Sequence, residues 1–558
     1  MRNMPIGEML KEYGYITDDQ IKQALAIQKQ DRSKKLGQIL VELGYITEKE
    51  VLDALGKRMG LQIIQLDTFK IDVKAVAKIP KQLASKYNMI AIAEQSGKLT
   101  IAMSDPLNFY AVEDVRQVTG MTLEVFLAES ADIKKAINLY YSEVGAKVAA
   151  EKANISAVPT APSVEELEEA ESGDDVPIVK FLNSLLVHGY STHTSDIHIE
   201  PFETKTSVRM RTDGMLVDYL NLSNTIHKQL VARLKIMSGL DIAERRVPQD
   251  GHFRSFIDGY DINVRVSILP TIFGEKAVLR YLSTNTKVDN IGHFGMNEEN
   301  YEKMMKMVRN PNGIIYITGP TGSGKTTTLY MILEHLSQRP VNISTIEDPV
   351  ERSLPRINQT QVNVLAGLTF EAGLRSLLRQ DPDIIMVGET RDGETAQISV
   401  RAAITGHLVC STLHTNDAIS SIVRIEDMGV APYLVANSVV GIVAQRLVRK
   451  VCPNCAYEYE PDIVEREIIG PDIHKIVKGK GCHMCNNTGY KGRVAIHEIV
   501  IIDRVMKRMI TDRAPVDDIY DYAINEQGMK TLEQCALDLV KDGVTTVEEM
   551  LKVCQVSD

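Results

Sequence analysis

Residues 313–326 have the sequence GIIYITGPTGSGKT, in which an apolar run leads directly into a glycine-rich loop ending in Lys-Thr. The loop matches the pattern G-x-x-x-x-G-K-[ST], and the run before it predicts a buried strand. Glycines let the backbone wrap around a phosphate, and the start of the following helix favours its negative charge. The stretch therefore predicts a nucleoside triphosphate site between a strand and a helix.

Two residues of the loop have separate expected roles. Lys325 would pair with the outer phosphates, and the Thr326 hydroxyl would ligate Mg²⁺. The predicted ATP-binding residues are Gly319, Pro320, Thr321, Gly322, Ser323, Gly324, Lys325, Thr326 and Thr327.

Further strands and helices alternate along the chain on both sides of this loop. Strands are predicted at 313–318, 341–346, 384–387 and 408–413, and helices are predicted to begin near Thr326, Phe370, Gly393 and Asp417. This alternation predicts an α/β fold with a parallel sheet that helices cover on both faces.

Acidic side chains follow two of the later strands. The sequence EDPVE occupies residues 347–351, and Glu389 follows the apolar run at 384–388. The carboxyl ends of parallel strands meet at one edge, so these acids are expected beside the phosphate loop. His407 and His414 flank the next strand and are expected at the same edge, with His414 placed to sense a γ-phosphate.

Together these segments resemble the secretion-ATPase superfamily, which powers type II secretion, type IV pili and related machines. The matching motifs are a Walker A run at 319–326, an aspartate box at 345–351, a Walker B run at 381–389 and a histidine box at 406–414. The resemblance implies a RecA-like P-loop ATPase core. It further implies that Glu351 is the catalytic base, that Glu389 acts on Mg²⁺ and its waters, and that His414 and Lys325 contact phosphate.

Upstream segments extend the resemblance. Residues 195–201, 209–214 and 241–251 are similar to the PAS-like domain that precedes the motor in this superfamily. In that family the nucleotide lies between the two domains, and arginines complete its site. The resulting arginine-finger candidates are Arg209, Arg211, Arg245 and Arg246, and surface salt bridges are the alternative for each.

Two C-x-x-C pairs lie beyond the motor, 26 residues apart. Four thiolates in this pattern suit tetrahedral Zn²⁺, and a closed set of four predicts a structural site. A redox dithiol is the alternative. The predicted ligands are Cys452, Cys455, Cys482 and Cys485, and their placement resembles the tetracysteine module of assembly and secretion ATPases.

The chain opens with an internal repeat, since residues 5–28 recur as 35–58 at an offset of 30 residues. Each unit predicts two helices joined by a glycine-centred turn and a threonine cap. The repeat resembles a tandem motif that binds cyclic di-GMP in some pilus ATPases. The corresponding residues are Gly7, Leu10, Gly14, Leu25, Gln28, Gly37, Leu40, Gly44 and Leu55. Helical hairpins that only dock a partner are the alternative.

A change in composition and the resemblance together divide the chain into seven segments. Seven acids and no base lie between Glu165 and Asp175, which predicts an acidic flexible linker or an exposed acidic helix at 164–170. The expected segments are a repeat domain at 1–60, an α/β domain at 61–145, the linker at 146–175, the PAS-like domain at 176–289, the RecA-like domain at 290–450, the zinc module at 451–490 and a C-terminal helical region at 491–558.

Charge and hydropathy exclude some functions. The 63 basic and 74 acidic residues give a net charge of −11, which argues against a nucleic-acid partner. The longest apolar stretch, 433–448, contains Asn437, Gln445 and Arg446, so no bilayer-spanning helix is expected. No secretory-signal pattern is evident in residues 1–10, which predicts a cytoplasmic protein.

The resemblance covers nearly the whole chain and implies a homohexameric, Mg²⁺-dependent ATPase that drives type IV pilus assembly. Its implied partners are a PilC-like platform protein of the inner membrane and a cytoplasmic adaptor, through which it would reach the inner face of the membrane. A type II secretion ATPase is the alternative. An alternative of another class is a scaffold that responds to cyclic di-GMP without hydrolysing ATP.

Overall fold

The computed structural model describes residues 5–31, 34–66, 69–156, 177–282, 293–485 and 487–554. The chain forms two compact units, Met1–Thr284 and Asn285–Asp558. Within the described ranges, no helix combines the length and the apolar character needed to cross a membrane.

The N-terminal repeat of the first unit forms four helices. They are α1 (Ile6–Glu12), α2 (Asp18–Gln30), α3 (Leu36–Glu42) and α4 (Glu48–Met59). Thr17 and Thr47 cap α2 and α4 in the same way, each accepting a bond from the backbone three residues on while that residue's side chain accepts from the threonine N–H. The predicted threonine caps are therefore confirmed.

A three-stranded sheet follows the repeat. Its elements are α5 (Val73–Val76), α6 (Lys81–Tyr87), β1 (Met89–Gln95), β2 (Lys98–Met103), α7 (Phe109–Thr119), β3 (Thr122–Leu127) and α8 (Ser130–Ser156). Strand β2 is antiparallel to β1 and parallel to β3.

Helix α8 corrects the predicted start of the linker at residue 146, because it continues to Ser156. Ala149 and Ala150 are buried in the same core as helix α9 (Pro177–Ser191), and a Cβ at Gly145 would lie 3.3 Å from Ser184 Oγ. The small residues of this segment allow α8 and α9 to pack closely, although their composition had predicted a solvated chain. The predicted acidic helix at 164–170 lies outside the described residues.

The rest of the first unit is a six-stranded antiparallel sheet with order β6-β5-β4-β9-β8-β7. Helices α9 and α10 share its apolar core. The elements are β4 (Thr194–Pro201), β5 (Thr206–Thr212), β6 (Met215–Leu222), α10 (Asn224–Met237), β7 (Gln249–Ile257), β8 (Tyr260–Thr271) and β9 (Gly274–Tyr281).

The second unit is built on a seven-stranded sheet with order β12-β11-β13-β14-β10-β15-β18. Its strands are β10 (Gly313–Thr318), β11 (Ile343–Glu347), β12 (Asn358–Gln361), β13 (Ile384–Val387), β14 (Leu408–Leu413), β15 (Val439–Val451) and β18 (Tyr490–Ile501). Its first six helices are α11 (Glu298–Val308), α12 (Lys325–Leu336), α13 (Phe370–Leu377), α14 (Gly393–Ile404), α15 (Ser420–Asp427) and α16 (Pro432–Ser438), with a 3-10 turn at Val364–Ala366.

The sheet is parallel except for β18, which pairs antiparallel with β15. Alternate residues of β10 enter two different cores, Ile314 and Tyr316 on one face and Ile315 and Ile317 on the other. This arrangement confirms the prediction of a parallel sheet covered on both faces.

The described C-terminal part contains five α-helices, the first of them within a cysteine module. Its elements are β16 (Ala456–Tyr459), α17 (Ile463–Ile469), β17 (Ile476–Gly479), a 3-10 turn (His483–Cys485), α18 (Arg504–Thr511), α19 (Val516–Asn525), α20 (Leu532–Lys541) and α21 (Val547–Cys554). The helical region predicted from residue 491 begins instead with β18. After the cysteine module the chain returns to the main sheet, because the apolar residues of β18 complete its edge beside β15.

Candidate active site

The phosphate loop lies between the buried strand β10 and helix α12, as predicted. Gly319 and Gly324 have φ angles of 145° and 87°, a region that favours glycine. A Cβ at Gly319 would lie 2.4 Å from the carbonyl oxygen of Gln445, and one at Gly324 would lie 2.9 Å from its Nε2. Side chains are therefore excluded from both positions.

Lys325 points into this loop. Its Nζ donates hydrogen bonds to the carbonyl oxygens of Gly319 (2.6 Å) and Pro320 (3.1 Å). Burial lowers the pKa of Lys325 to about 8, while the charge of Glu389 acts in the opposite direction. The lysine therefore lies where an ammonium would meet the outer phosphates of a nucleotide.

Gln445 of β15 was not predicted as a site residue, yet it supports the loop. Its Nε2 donates to the Ser323 carbonyl (2.7 Å), its Oε1 accepts from the Thr328 hydroxyl (2.8 Å), and its side chain is buried. The next residue, Arg446, donates to the Asn416 carbonyl at 2.8 Å. The signal for this role in the sequence is the pair of polar residues, Gln445 and Arg446, inside an otherwise apolar strand.

Glu389 and His414 face the same edge as Lys325. The Glu389 side chain is only 12% exposed, and its Oε1 lies 2.6 Å from the Arg391 guanidinium. His414 Nε2 lies 3.4 Å from Glu389 Oε2. These contacts join the Walker B and histidine boxes, and the effect of Glu389 on the Lys325 pKa connects both to the phosphate loop.

The two ends of the aspartate box have different environments. Glu347 is buried, and its carboxylate accepts hydrogen bonds from Tyr330, Thr345 and Gln359. Glu351 is half-buried, and its backbone N–H donates to the Tyr330 hydroxyl at 3.1 Å. Tyr330 belongs to α12, so it holds the box against the helix that begins at Lys325. Glu347 is therefore engaged in internal hydrogen bonds, and the role of Glu351 as catalytic base stays a prediction.

The expectation for His407 was wrong. His407 comes immediately before β14 and its carbonyl accepts from the Gly313 N–H, whereas His414 follows the strand's last residue. A six-residue strand spans roughly 20 Å, so the two histidines lie at opposite ends of it. His407 Nδ1 instead lies 2.9 Å from the Ala402 carbonyl.

The four arginine candidates all lie in the first unit. Arg209 Nε donates to Glu200 at 2.6 Å, and Arg211 lies 3.7 Å from Asp196. Arg246 pairs with Glu244 at 2.8 Å, and Arg245 is exposed beside it. Three of the four therefore take part in salt bridges within their own unit, as the alternative expected.

The four predicted zinc ligands are brought together. Their ligand atoms all lie within 4.8 Å of one another, with Sγ–Sγ distances of 3.8 Å for Cys452–Cys482, 3.9 Å for Cys455–Cys485 and 3.7 Å for Cys482–Cys485. A tetrahedral site with Zn–S bonds of about 2.3 Å requires Sγ–Sγ distances near 3.8 Å. Burial raises the pKa of the Cys485 thiol, but N–H groups of Cys482 and Gly489 outweigh it and lower this pKa to about 7. The Sγ–Sγ spacing of the cluster therefore fits Zn²⁺, while burial raises the pKa of the Cys452 and Cys455 thiols.

Most residues of the candidate cyclic di-GMP motif are buried within the repeat domain. Leu10, Leu40 and Leu55 are buried, whereas the Leu25 side chain is 40% exposed. A Cβ at Gly7 would lie 3.2 Å from Leu36, and one at Gly37 would lie 3.1 Å from Val51, so both glycines permit close helix contacts. Gly14 and Gly44 form the turns with positive φ, and Gln28 Nε2 donates to the Lys34 carbonyl.

Comparisons with known proteins cover most of the chain. Residues 171–552 match the family described as Type II/IV secretion system protein, and residues 59–147 match the MshEN domain. The chain is 38% identical to the Type IV pilus assembly ATPase PilB of Myxococcus xanthus over 98% of both chains. It is 40% identical to PilB of Thermus thermophilus over 89% of this chain and 56% of that protein. It is 37% identical to the Type II secretion system ATPase E of Vibrio cholerae over 87% of this chain and 98% of that one.

A solved structure agrees with this fold. The Legionella pneumophila ATPase DotB covers 67% of this chain and 95% of its own, with a TM-score of 0.50 and 22% identity. This similarity concerns the fold alone. With the family match, it confirms the predicted fold class of a RecA-like P-loop core joined to PAS-like and N-terminal α/β domains.

Proposed function

Since the chain belongs to the type II/IV secretion system protein family, we propose that it is the hexameric ATPase motor of type IV pilus assembly. The chain is an ATP-hydrolysing enzyme. The observation that carries the proposal is that a phosphate loop, a mostly buried carboxylate and a histidine meet at one edge of the sheet. The pilus-assembly relative that matches end to end supports the choice of machine.

Hydrolysis requires that negative charge be stabilised and that water be oriented. Lys325 would bind the outer phosphates, and His414 would contact the γ-phosphate from the loop after β14. Thr326 and Glu389 would hold Mg²⁺, which neutralises developing charge on the phosphates when it is bound. Glu351 would accept the proton of the attacking water.

ATP turnover tests this assignment. The wild type is expected to release phosphate, whereas Lys325→Ala and Glu351→Gln are expected to lose most of the rate. Equal rates in all three proteins would instead favour the scaffold that responds to cyclic di-GMP without hydrolysis. Light scattering would test the hexamer.

Type II secretion is the second candidate, because ATPases of that system align at similar identity. We infer that the PilC-like platform protein and a cytoplasmic adaptor hold the motor at the inner face of the membrane. Deletion of the gene in its own host separates the candidates. Loss of surface pili with normal export supports pilus assembly, and the reverse outcome supports secretion.

We also propose that the four cysteines hold structural Zn²⁺. The tetrahedral spacing of their sulfur atoms supports this site. Purified protein is expected to contain about one zinc per chain, and Cys482→Ser is expected to lose it. Zinc retained in that variant would contradict the site.

Cyclic di-GMP is the proposed ligand of the N-terminal region. The MshEN match and the tandem motif support it, although the match covers residues 59–147 and the motif covers 5–58. Calorimetry with the wild type and Leu25→Ala would test it. No heat with the wild type would favour helical hairpins that only dock a partner.

The finger role of the four arginines stays a prediction. Each arginine replaced by alanine is expected to lower turnover if it contacts phosphate. A variant with unchanged turnover would identify its arginine as part of a salt bridge only.

A further inference from the structure

Glu498 is a buried carboxylate that the proposed mechanism does not use. Its side chain is 1% exposed, and it lies on β18. Thr318, Ala444 and Glu498 form one row across the neighbouring strands β10, β15 and β18. Adjacent strands lie about 4.8 Å apart, so Glu498 is about 10 Å from the strand end at which the phosphate loop begins.

The two oxygens of this carboxylate accept hydrogen bonds from different parts of the chain. The Ala418 N–H donates to Oε1 at 2.9 Å. The Leu532 N–H donates to Oε2 at 3.3 Å, and the Tyr520 hydroxyl donates to the same atom at 3.4 Å. Ala418 lies four residues after His414, whereas Leu532 and Tyr520 belong to helices α20 and α19. One side chain therefore joins the loop after β14 to the C-terminal helices.

That loop is also anchored at two other points. The Thr415 N–H donates to Thr318 Oγ1 at 2.8 Å, and Arg446 donates to the Asn416 carbonyl at 2.8 Å. The His414 side chain is itself 47% exposed, and it lies 3.4 Å from Glu389. Its direction toward the nucleotide site is therefore set mainly by the backbone that these anchors hold.

We propose that Glu498 is a positioning residue for ATP hydrolysis, which fixes the His414 loop relative to helices α19 and α20. The inference rests on the proposed ATPase function. A glutamine cannot replace this side chain, because it has one acceptor oxygen and its NH₂ group would face an N–H. Glu498→Gln therefore leaves a buried donor unpaired and releases one of the two segments.

The protonation state decides the conditions of the test. Burial is the main cause that raises the pKa of Glu498 to about 7, the charge of Asp417 adds to it, and the N–H groups of Ala418 and Leu532 oppose it. Measurements near pH 8 therefore keep both oxygens as acceptors.

A matched control exists on the same sheet. Glu549 is also buried, and it accepts from Arg449 through the backbone N–H at 3.2 Å and the guanidinium at 2.6 Å. It joins β15 to α21, and none of the bonds it makes within the described part of the chain reaches the His414 loop. Glu549→Gln thus removes a comparable buried carboxylate without releasing that loop.

Turnover, ADP binding and thermal unfolding of both variants test the role. Glu498→Gln is expected to lower kcat about tenfold, since small displacements of reacting groups have effects of this size or larger. Its ADP affinity is expected to stay within about twofold, because ADP lacks the phosphate that His414 would contact. Glu549→Gln is expected to lose about as much thermal stability as Glu498→Gln, but to keep the kcat of the wild type. Unchanged kcat in Glu498→Gln, or an equal loss in Glu549→Gln, would overturn the proposal.

A second pair of variants applies if Glu498→Gln does not fold. Leu532 is the first residue of α20, where proline is tolerated, and the ψ of 161° at Thr531 suits the residue before a proline. Leu532→Pro and Leu532→Ala both lose the leucine side chain, but only the first loses the N–H. The proline variant is expected to have the lower kcat, and equal rates would overturn the proposal. A wild type without ATP turnover would instead contradict the proposed function itself.

Discussion

The phosphate loop and the N-terminal repeat are both recognisable motifs, yet their key residues lie in different environments. Lys325 and Glu389 are polar groups largely withdrawn from water, and their contacts come from the phosphate loop and from Arg391 and His414. Leu10 and Leu40, in contrast, are buried in the hydrophobic core of the repeat domain. A motif of charged and glycine residues thus indicates a chemical site directly. A motif of leucines and glycines can equally arise from core packing without any ligand.

The largest difference between the two regions is expected from Lys325→Ala. Removing one preorganised charge from the transition state costs about 10²–10³-fold in rate. Phosphate release should fall by that amount while thermal stability changes little. Lys22→Ala on the exposed helix α2 is the control, and an equal loss of rate there would remove the distinction.

Leu40→Ala is expected to act on stability instead. Leu40 is fully buried, and such truncations cost about 2–5 kcal/mol. Leu25 of the same repeat domain is 40% exposed, so Leu25→Ala should cost less than about 1 kcal/mol. Denaturant unfolding of the N-terminal region measures both. Similar costs would mean that the repeat is not packed as described.

A glycine from each region sharpens the comparison further. A Cβ at Gly319 would meet backbone at 2.4 Å, whereas one at Gly37 would meet a Val51 methyl at 3.1 Å. Gly319→Ala should weaken ATP binding about tenfold, and Gly37→Ala should change stability by about 1 kcal/mol or less. Isothermal titration and thermal melts check the pair, and normal ATP affinity in Gly319→Ala would contradict the loop geometry.

The smallest expected effect is a pH dependence. Burial lowers the pKa of Lys325 to about 8 from 10.5, so ATP affinity should fall as the pH rises above about 8. Between about pH 8 and 10.5 this lysine is protonated in the unfolded chain but neutral in the folded one. The free energy of unfolding therefore rises with pH across this window. Opposite trends in affinity and stability are therefore expected. In the repeat, the hydrogen bond from Lys57 lowers the pKa of Asp53 from its usual acidic range, so Asp53 titrates below this window. Constant ATP affinity to pH 9 would contradict the buried position of Lys325.

The sequence predicted the parallel sheet, the phosphate loop and the cysteine cluster, because each depends on local patterns of glycine, apolar or cysteine residues. It missed β12, whose residues Asn358–Gln361 are all polar, and it placed β18 in a helical region because its partner β15 is distant in sequence. The supporting roles of Gln445 and Tyr330 could not be predicted, since they depend on which strand and helix lie beside the loop. His407 was misplaced because a histidine before a strand and one after it were assigned to the same edge.

ATP binding and phosphate release by Glu389→Gln, measured beside the wild type, test the central claim most directly. The carboxylate beside Lys325 and His414 is assigned to hydrolysis and Mg²⁺, so the variant should still bind ATP but release little phosphate. Phosphate release at the wild-type rate would show that hydrolysis does not occur at this edge of the sheet.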